Sequence, residues 1–487
     1  MSLKQKAMKG VIWSGLQKWG GHVISFSVFL LLARLLQPED FGLVAMAGVF
    51  IAFMKVFLDQ GFASAIIQRQ EVEQEHLDTA FWVGFGSSLL LMLIAIASAE
   101  LVASFYQEPE LANVIRCLSI SFPLKALNSV QSAILTRKFA FKTLAVRSLI
   151  AMTVGGTVGA TMAFLNFGVW SLVCYQLSTS LVEVIVLWSV SDWRPGLKVS
   201  RKHLQELFSY GINVIGLNGL NFLNRYSDNL LIGRFLGSEA LGYYTVAYRV
   251  LTVLIELLSK TTAQVAFPAF SKLQNEPKRL RNAFYKATQF TSLVSLPAFL
   301  GVFALAPEIV EVMFGSQWSP SIPVMQVLTS VGILQTISHF NGPIMMAMGK
   351  PGWRLGINTL GTGVNVISFI LVVRWGILAV AAAYAVRAYL LSPINLWVLR
   401  KLIGVKILTY LNQLTAPLLG SLVMVLAIFG SKQLLVGWLK DEAILVICIT
   451  IGIVAYGLTM RLIAPKLFQQ VLELVRSVLP KSAGKKT

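Results

Sequence analysis

The sequence predicts an all-α polytopic membrane protein with about 14 transmembrane helices, built as two parallel-repeat six-helix lobes plus two C-terminal helices. Three observations predict it. Apolar runs follow one another almost from end to end, each reaching the roughly 20 residues that a helix needs to cross a bilayer core. The short connectors alternate, one rich in Lys and Arg and the next nearly without them, which is the charge asymmetry of a multi-pass chain. A shift of 200 residues also lays one stretch of the chain over a second copy of itself.

Composition agrees. Of 487 residues, 56% are hydrophobic and 13% charged, where a soluble domain carries roughly 25% charged residues. Mean hydropathy is +0.70 and the isoelectric point near 9.9. A net charge of +19 raises nucleic acid as a partner. The basic residues lie in inter-helix connectors, with no contiguous basic face and no nucleic-acid motif, so none is expected. Cys117, Cys174 and Cys448 stand singly inside apolar runs, as small hydrophobes without metal-ligand spacing. The amino terminus is basic from Met1 to Lys9, but the stretch on to Leu36 is too long for a signal-peptide core and has no small-residue cleavage site. The first span is expected to direct insertion.

The spans fall at roughly 10–36, 41–67, 79–105, 111–136, 143–166, 169–191 and 205–236 in the first half. They continue at roughly 240–270, 283–306, 322–348, 354–374, 376–400, 411–431 and 442–463. All should be helices, because hydrocarbon leaves open sheet edges unsatisfied. One side collects Lys4, Lys6 and Lys9, then Arg137, Lys138 and Lys142, then Arg194, Lys198, Arg201 and Lys202. Lys272, Lys278, Arg279, Arg281, Lys350, Arg354, Arg400, Lys401 and Lys406 follow, then the tail Lys481, Lys485 and Lys486. The other side has Gln37-Pro38-Glu39-Asp40, Gln107-Glu108-Pro109-Glu110, Gly237-Ser238-Glu239 and the loop Pro307 to Pro323. Its basic residues are Arg374, Lys432 and Lys440. Both termini are therefore expected in the cytoplasm.

The repeat appears at the junction of spans 1 and 2. Ser27, Leu30, Leu31, Arg34, Leu36, Glu39, Gly42 and Ala47 recur as Ser227, Leu230, Leu231, Arg234, Leu236, Glu239, Gly242 and Ala247. Six spans separate the copies, an even number, so the halves run in the same direction. Parallel six-helix halves are a transporter plan with substrate between them. The expected divisions are 1–200 for the first lobe, 201–405 for the second, and 406–487 for two additional helices and a basic cytoplasmic tail. The connector Ser191 to Gln205 joins the lobes, and Leu204, Leu207 and Phe208 give its end an interfacial helical face.

Ionisable residues inside spans are costly and face a cavity or a partner. Near mid-depth stand Lys55, Asp59, Lys125, Arg225, Asp228, Glu256 and Arg387, with Lys18, Glu183, Arg249 and Lys260 nearer the ends. Lys55 with Asp59, Arg225 with Asp228, and Glu256 with Lys260 are spaced to pair on one helix face. Setting those pairs aside leaves Lys18, Lys125, Arg249 and Arg387 against Glu183. A net-positive interior suits an anion such as a phosphate or pyrophosphate. The candidate substrate-binding cations are Lys18, Lys55, Lys125, Arg225, Arg249 and Arg387. The candidate ion-coupling acids are Asp59, Asp228, Glu183 and Glu256, each also readable as a structural partner. Pro123, Pro297, Pro343 and Pro393 interrupt spans, and Gly20-Gly21 and Gly155-Gly156 permit close packing or bending.

Enzymatic signatures are absent. His22, His76, His203 and His339 are scattered, and no HExxH, GxSxG, Walker or DxD-type cluster occurs. No cofactor or metal is expected, and without an ATPase domain uphill movement would need H+ or Na+ coupling or the substrate's own gradient.

The stretch FLLLARLLQPEDFGLVAMAGVFIAFMKVFLDQGFASAIIQR, Phe29 to Arg69, resembles the amino-terminal signature of polysaccharide exporters in the MOP (multidrug/oligosaccharidyl-lipid/polysaccharide) superfamily. FGVWSLVCYQL, Phe167 to Leu177, resembles that family's sixth helix. Phe267 to Leu328, from FPAFSKLQNEPKRLRNAFYKA through FGSQWSPSIPVMQVL, resembles its stretch from span 8 to span 10. The similarity covers roughly residues 5 to 400 and lies nearest the Wzx-like lipopolysaccharide and colanic-acid exporter branch. It implies a two-lobed fold of twelve core helices and alternating access. It also implies flipping of undecaprenyl-pyrophosphate-linked oligosaccharides across the bacterial inner membrane, for capsule, exopolysaccharide or O-antigen assembly. Polysaccharide polymerase and export machinery are the further partners implied. In related flippases cations of spans 1, 2 and 8 face the cavity, and Lys18, Lys55 and Arg249 fall on those helices here. Fourteen spans instead of twelve is a departure shared with lipid II flippases of the superfamily. Two other functions compete. A cation-exporting multidrug antiporter would want acids inside, and a glycan polymerase or ligase would want a long, functionalised external loop; no external loop here exceeds about 17 residues.

Overall fold

The computed structural model describes residues 3–58, 66–68, 72–197, 201–435 and 437–478, with backbone alone at 3–9, 11–12, 201–215, 217, 259–265, 471–472 and 474–478. Every regular element among them is a helix. Twelve stretches among the described residues are long and apolar enough to cross a membrane. Their outward faces carry exposed Leu90, Leu93, Leu101, Leu371, Leu426 and Leu462, which water would penalise and lipid does not.

The twelve depart from the fourteen expected at two places. Expected spans 7 and 8 lie on one helical stretch, Arg201–Lys272, which joins two helices across a kink at Gly237 (φ 86°, ψ −179°). Its apolar part, Asn218–Leu258, has 41 residues. At about 1.5 Å per residue it is roughly 60 Å long, twice a bilayer core. The kink sits where the extended left-handed backbone is open to glycine alone. Expected span 4 is divided as well, into Leu111–Ser119 and Ser121–Arg137 meeting at Ile120.

By contacts the chain forms two compact units, 1–246 with 362–380, and 247–361 with 381–487. In unit 1 we label α1 (Leu3–Leu35), α2 (Pro38–Leu58), α3 (Gln74–Tyr106), α4 (Leu111–Ser119), α5 (Ser121–Arg137), α6 (Phe141–Phe164) and α7 (Val169–Val190). α6 is the centre of a close-packed trio with α1 and α7. A Cβ on Gly156 would strike Val28 of α1, and one on Gly159 would strike Tyr175 of α7. These small residues let the helices approach without a hydrophobic drive between them. The connector after α7 is pinned to α3: Gly196 N–H donates to Asp78 Oδ1 at 3.0 Å, and Trp82 Nε1–H donates to the Gly196 carbonyl at 2.7 Å. The interfacial face expected at Leu204, Leu207 and Phe208 lies outside the described side chains.

Another feature of unit 1 concerns the repeat. A Cβ on Gly42 would land on the Ser238 carbonyl, and a Cβ on Gly242 would land on the Pro38 carbonyl. Positions 38 and 238, and 42 and 242, differ by the same offset. Reciprocal contact of this kind is what a local two-fold relation produces. The two segments cross backbone to backbone, and Glu108 Oε1 accepts from Ser238 N–H beside the crossing (3.3 Å).

Unit 2 takes in the later part of the Arg201–Lys272 stretch with α8 (Pro277–Ala304), α9 (Ser321–Ile337) and α10 (Asn341–Ala347). It continues through the start of α11 (Pro351–Val372) to α12 (Ile377–Ile403), α13 (Ile407–Leu435), α14 (Asp441–Ile463) and α15 (Pro465–Val478). α8 packs against both α9 and α13. Phe284 stacks on Tyr410 at 5.7 Å, and Tyr285 Oη accepts from Lys406 N–H at 2.8 Å. The two additional helices are thus packed on the unit's core: Met424, Ile428, Ile444 and Cys448 bury against Ala304 and Leu305. Lys432 of α13 is paired with Glu308 at 2.6 Å, both side chains largely buried. This pairing neutralises one of the few cations on the acidic side of the charge pattern.

The four prolines expected to interrupt spans divide into two kinds. Pro297 and Pro393 lie inside the unbroken α8 and α12. Pro123 and Pro343 each stand third in a helix that follows a break, α5 after Ile120 and α10 after the turn Ser338–Phe340. Proline lacks the N–H that the carbonyl four residues earlier would use, and the regular helix is interrupted at both places.

Candidate functional site

Unit 1 encloses a cavity of about 470 Å3 walled by α2, α3, α5, α6 and α7. Its charged lining is Lys55 from α2, Lys125 from α5, Arg147 from α6 and Glu183 from α7. Ser121, Asn128, Ser129, Ser132 and Thr136 place a polar ribbon along α5, and Ser180 faces them from α7. The break before Pro123 starts α5 at Ser121, the first of that polar series.

Arg147 is the best-held cation. Its Nη1 donates to Ser132 Oγ at 3.0 Å and its Nη2 to Ser148 Oγ at 3.3 Å. Gln17 Nε2 of α1 donates to the same Ser148 hydroxyl at 3.0 Å. Glu183 Oε1 stands 3.4 Å from Nη2, a long pairing. Arg147 Nε and Asn128 Oδ1 are buried with no hydrogen-bond partner. Among the described residues Lys55 and Lys125 form no ion pair. The cavity therefore presents three cations against one acid, with donors left over. Such groups are expensive when unmet in a low-dielectric interior, and an anion with several acceptor oxygens would satisfy them.

Three of the sequence candidates, Lys55, Lys125 and Glu183, meet in this cavity. The others do not line it. Lys18 is exposed on α1. Arg225 is exposed and lies 5.9 Å over Tyr226. The expected Arg225–Asp228 pairing is replaced: buried Asp228 accepts from Tyr244 Oη–H at 2.9 Å and from Asn229 N–H at 2.8 Å. In unit 2, Arg249 and Glu256 are half-buried, and Arg387 lies 5.3 Å over the Tyr384 ring. Asp59 and the Lys260 side chain lie outside the described residues. Sequence reasoning passed over Arg147. It stands early in its span and Glu183 late in the next, so in antiparallel neighbours both fall toward the basic-connector end, and that depth match was the available signal.

Unit 2 has a polar cavity of its own, about 500 Å3, beside the break between α9 and α10. Asn341, Asn358, Asn395, Ser338, His339 and Arg354 line it.

The family described as polysaccharide biosynthesis protein matches residues 31–323, more than half of the chain. The chain belongs to this family. As a member of it, the protein is 31% identical over 343 residues to the succinoglycan biosynthesis transport protein ExoT of Rhizobium meliloti (strain 1021), across 70% of this chain and 69% of the relative. Its fold matches that of the lipid II flippase MurJ in an inward closed conformation, with TM-score 0.75 at 16% identity, over 95% of this chain and 100% of the other. It also matches an inward-facing multidrug resistance MATE family transporter of the MOP superfamily, with TM-score 0.63 at 15% identity, over 81% and 98%. The family and the superfamily fold agree with the resemblance read from Phe29 to Arg69.

Proposed function

We propose that this chain is an inner-membrane flippase. It carries undecaprenyl-pyrophosphate-linked oligosaccharide repeat units outward by alternating access, for capsule, exopolysaccharide or O-antigen assembly. The observation that carries this reading is the unit 1 cavity, where Lys55, Lys125 and Arg147 outnumber Glu183. A diphosphate diester bears two negative charges, which a cavity of three cations and one acid balances. Guanidinium and ammonium donors recognise phosphate oxygens, whereas an organic cation would meet repulsion here.

The orientation follows from the connectors. Thr136 and Arg147 border the basic loop 137–142, so under the positive-inside pattern the cavity lies toward the cytoplasm, the side on which the lipid is loaded. Both termini lie on that side. Lys18, Arg225, Arg249 and Arg387 are then candidates for contact in other states of the cycle, and the two lobes and C-terminal pair follow the repeat at 1–200, 201–405 and 406–487. Asp59, Asp228, Glu183 and Glu256 are the candidates for H+ or Na+ coupling. A polymerase and export machinery would take the product.

The test is a reconstituted flipping assay. Purified protein in liposomes receives a fluorescent undecaprenyl-pyrophosphoryl oligosaccharide, and translocation is scored by protection from an external quencher. Wild type should move the lipid, and Lys125→Ala and Arg147→Ala should lose that activity while staying monodisperse. Export of an organic cation with no lipid movement would reverse the reading in favour of an antiporter.

A further inference from the structure

The unit 2 cavity plays no part in the reading above, and its chemistry differs. Its lining carries three primary amides, one hydroxyl, one imidazole and one guanidinium, with no carboxylate. Arg354 and Asn358 are one turn apart on α11, and both line the cavity. A polar face on an otherwise apolar spanning helix is unfavourable against lipid and favourable against a wet cavity. Asn341 is 4% exposed, and its Oδ1 accepts no hydrogen bond among the described residues. Asn395 spends one amide hydrogen on the Leu391 carbonyl of its own helix, at 3.3 Å.

The ligand class follows from donor and acceptor counts. A primary amide offers two donors and an acceptor oxygen. A phosphate diester only accepts, so it would leave the buried Asn341 Oδ1 unmet. A buried acceptor left empty is costly. Ligand hydroxyls both donate and accept, and a run of them on a ring matches several amides at once. Arg354 adds a donor pair for a ring oxygen, a hydroxyl or a sugar carboxylate.

We propose that this cavity is a saccharide subsite, in which Asn341, Asn358 and Asn395 hydrogen-bond the hydroxyls of the glycan that the lipid carries. The proposal rests on the flippase reading and assigns glycan recognition to unit 2, apart from the cationic cavity of unit 1.

The experiment uses the full-length protein in nanodiscs and two probes, undecaprenyl diphosphate and undecaprenyl-diphospho-oligosaccharide extracted from the host. Wild type should bind the glycosylated lipid about tenfold tighter or more, the increment of one to two net hydrogen bonds. Asn341→Ala and Asn358→Ala should each remove most of that increment while leaving affinity for undecaprenyl diphosphate within about twofold. Lys125→Ala should weaken both lipids alike. The proposal is overturned if the two asparagine variants, still folded, keep the increment or weaken both lipids equally. Equal binding of the two lipids by wild type overturns it too, with the flippase reading intact. Binding of neither lipid by wild type removes both.

Discussion

The two compact units each set a broken helix beside a polar cavity, and they differ in chemistry. In each unit a helix is broken just before a proline, at Ile120 ahead of Pro123 and at Ser338–Phe340 ahead of Pro343. Each break borders a polar cavity. Interrupted helices beside a cavity are a usual feature of a transporter's binding region. The linings then diverge. Unit 1 supplies Lys55, Lys125, Arg147 and Glu183, whereas unit 2 supplies three asparagines and a single arginine. The two units thus share a backbone device and differ in the side chains around it.

The largest effect should come from attacking the contact between the two repeat segments in unit 1. Gly42→Ala puts a methyl group where the Ser238 carbonyl stands, and Gly242→Ala puts one on the Pro38 carbonyl. Neither backbone can yield without moving its helix, so each variant should lose about 3 kcal/mol or more, at the upper end for point changes. Yield of monodisperse protein and thermal stability in detergent report this. The losses should match one another, because the contacts are reciprocal. Unequal losses would break the local two-fold relation.

Next in size is Lys432→Ala. It leaves Glu308 buried and unpaired under the helices that pack on α8, and breaking such a pair costs about 3 kcal/mol. Stability should fall while the surviving folded protein flips lipid normally. A specific transport defect would mean that the additional helices are more than a brace.

Much of this was legible in the sequence because hydropathy and connector charge are local properties that burial cannot reverse. The helices, their order and the family signature at Phe29 to Arg69 needed no tertiary information. The span count was harder. Gly237 turns the chain within what remains continuous helix to either side, and the polar residues of α5 that line the cavity are the ones that lower its hydropathy. The site was half legible. Lys55, Lys125 and Glu183 stood out as charges in apolar runs, whereas Arg147 hid in the margin of its span. The spacing of Arg225 and Asp228 suggested a pair, but helix neighbours compete with everything else within reach. Tyr244, sixteen residues further on, brings its hydroxyl to the Asp228 carboxylate.

The cavities can be separated by single changes. Lys125→Ala removes one of three cations in unit 1, and loss of a charged hydrogen bond is worth about 1.5–3 kcal/mol, so flipping should drop about tenfold or more. Arg354→Ala removes the one guanidinium from a lining that keeps its amides. Flipping rates should fall less, about threefold to fivefold, because its partner there is an uncharged sugar hydroxyl instead of a phosphate. Equal losses would erase the chemical difference between the halves.

The smallest and sharpest test is Glu183→Gln. Glu183 holds Arg147 at 3.4 Å without the short contact seen at Lys432 and Glu308, 2.6 Å. A pair this loose behaves as a stand-in anion, occupying the guanidinium until phosphate oxygens arrive. Neutralising it raises the cavity by one positive charge and removes the competitor. Full-length Glu183→Gln should therefore bind inorganic pyrophosphate about threefold to tenfold tighter than wild type, within the 1.4 kcal/mol that a factor of ten represents. Raising salt should erode that gain, since part of it is charge attraction screened over about 10 Å at 0.1 M. If Glu183 instead serves to position Arg147, the variant binds more weakly and salt changes little. The direction of one affinity change thus decides whether the acid in this cavity competes with the substrate or prepares its site.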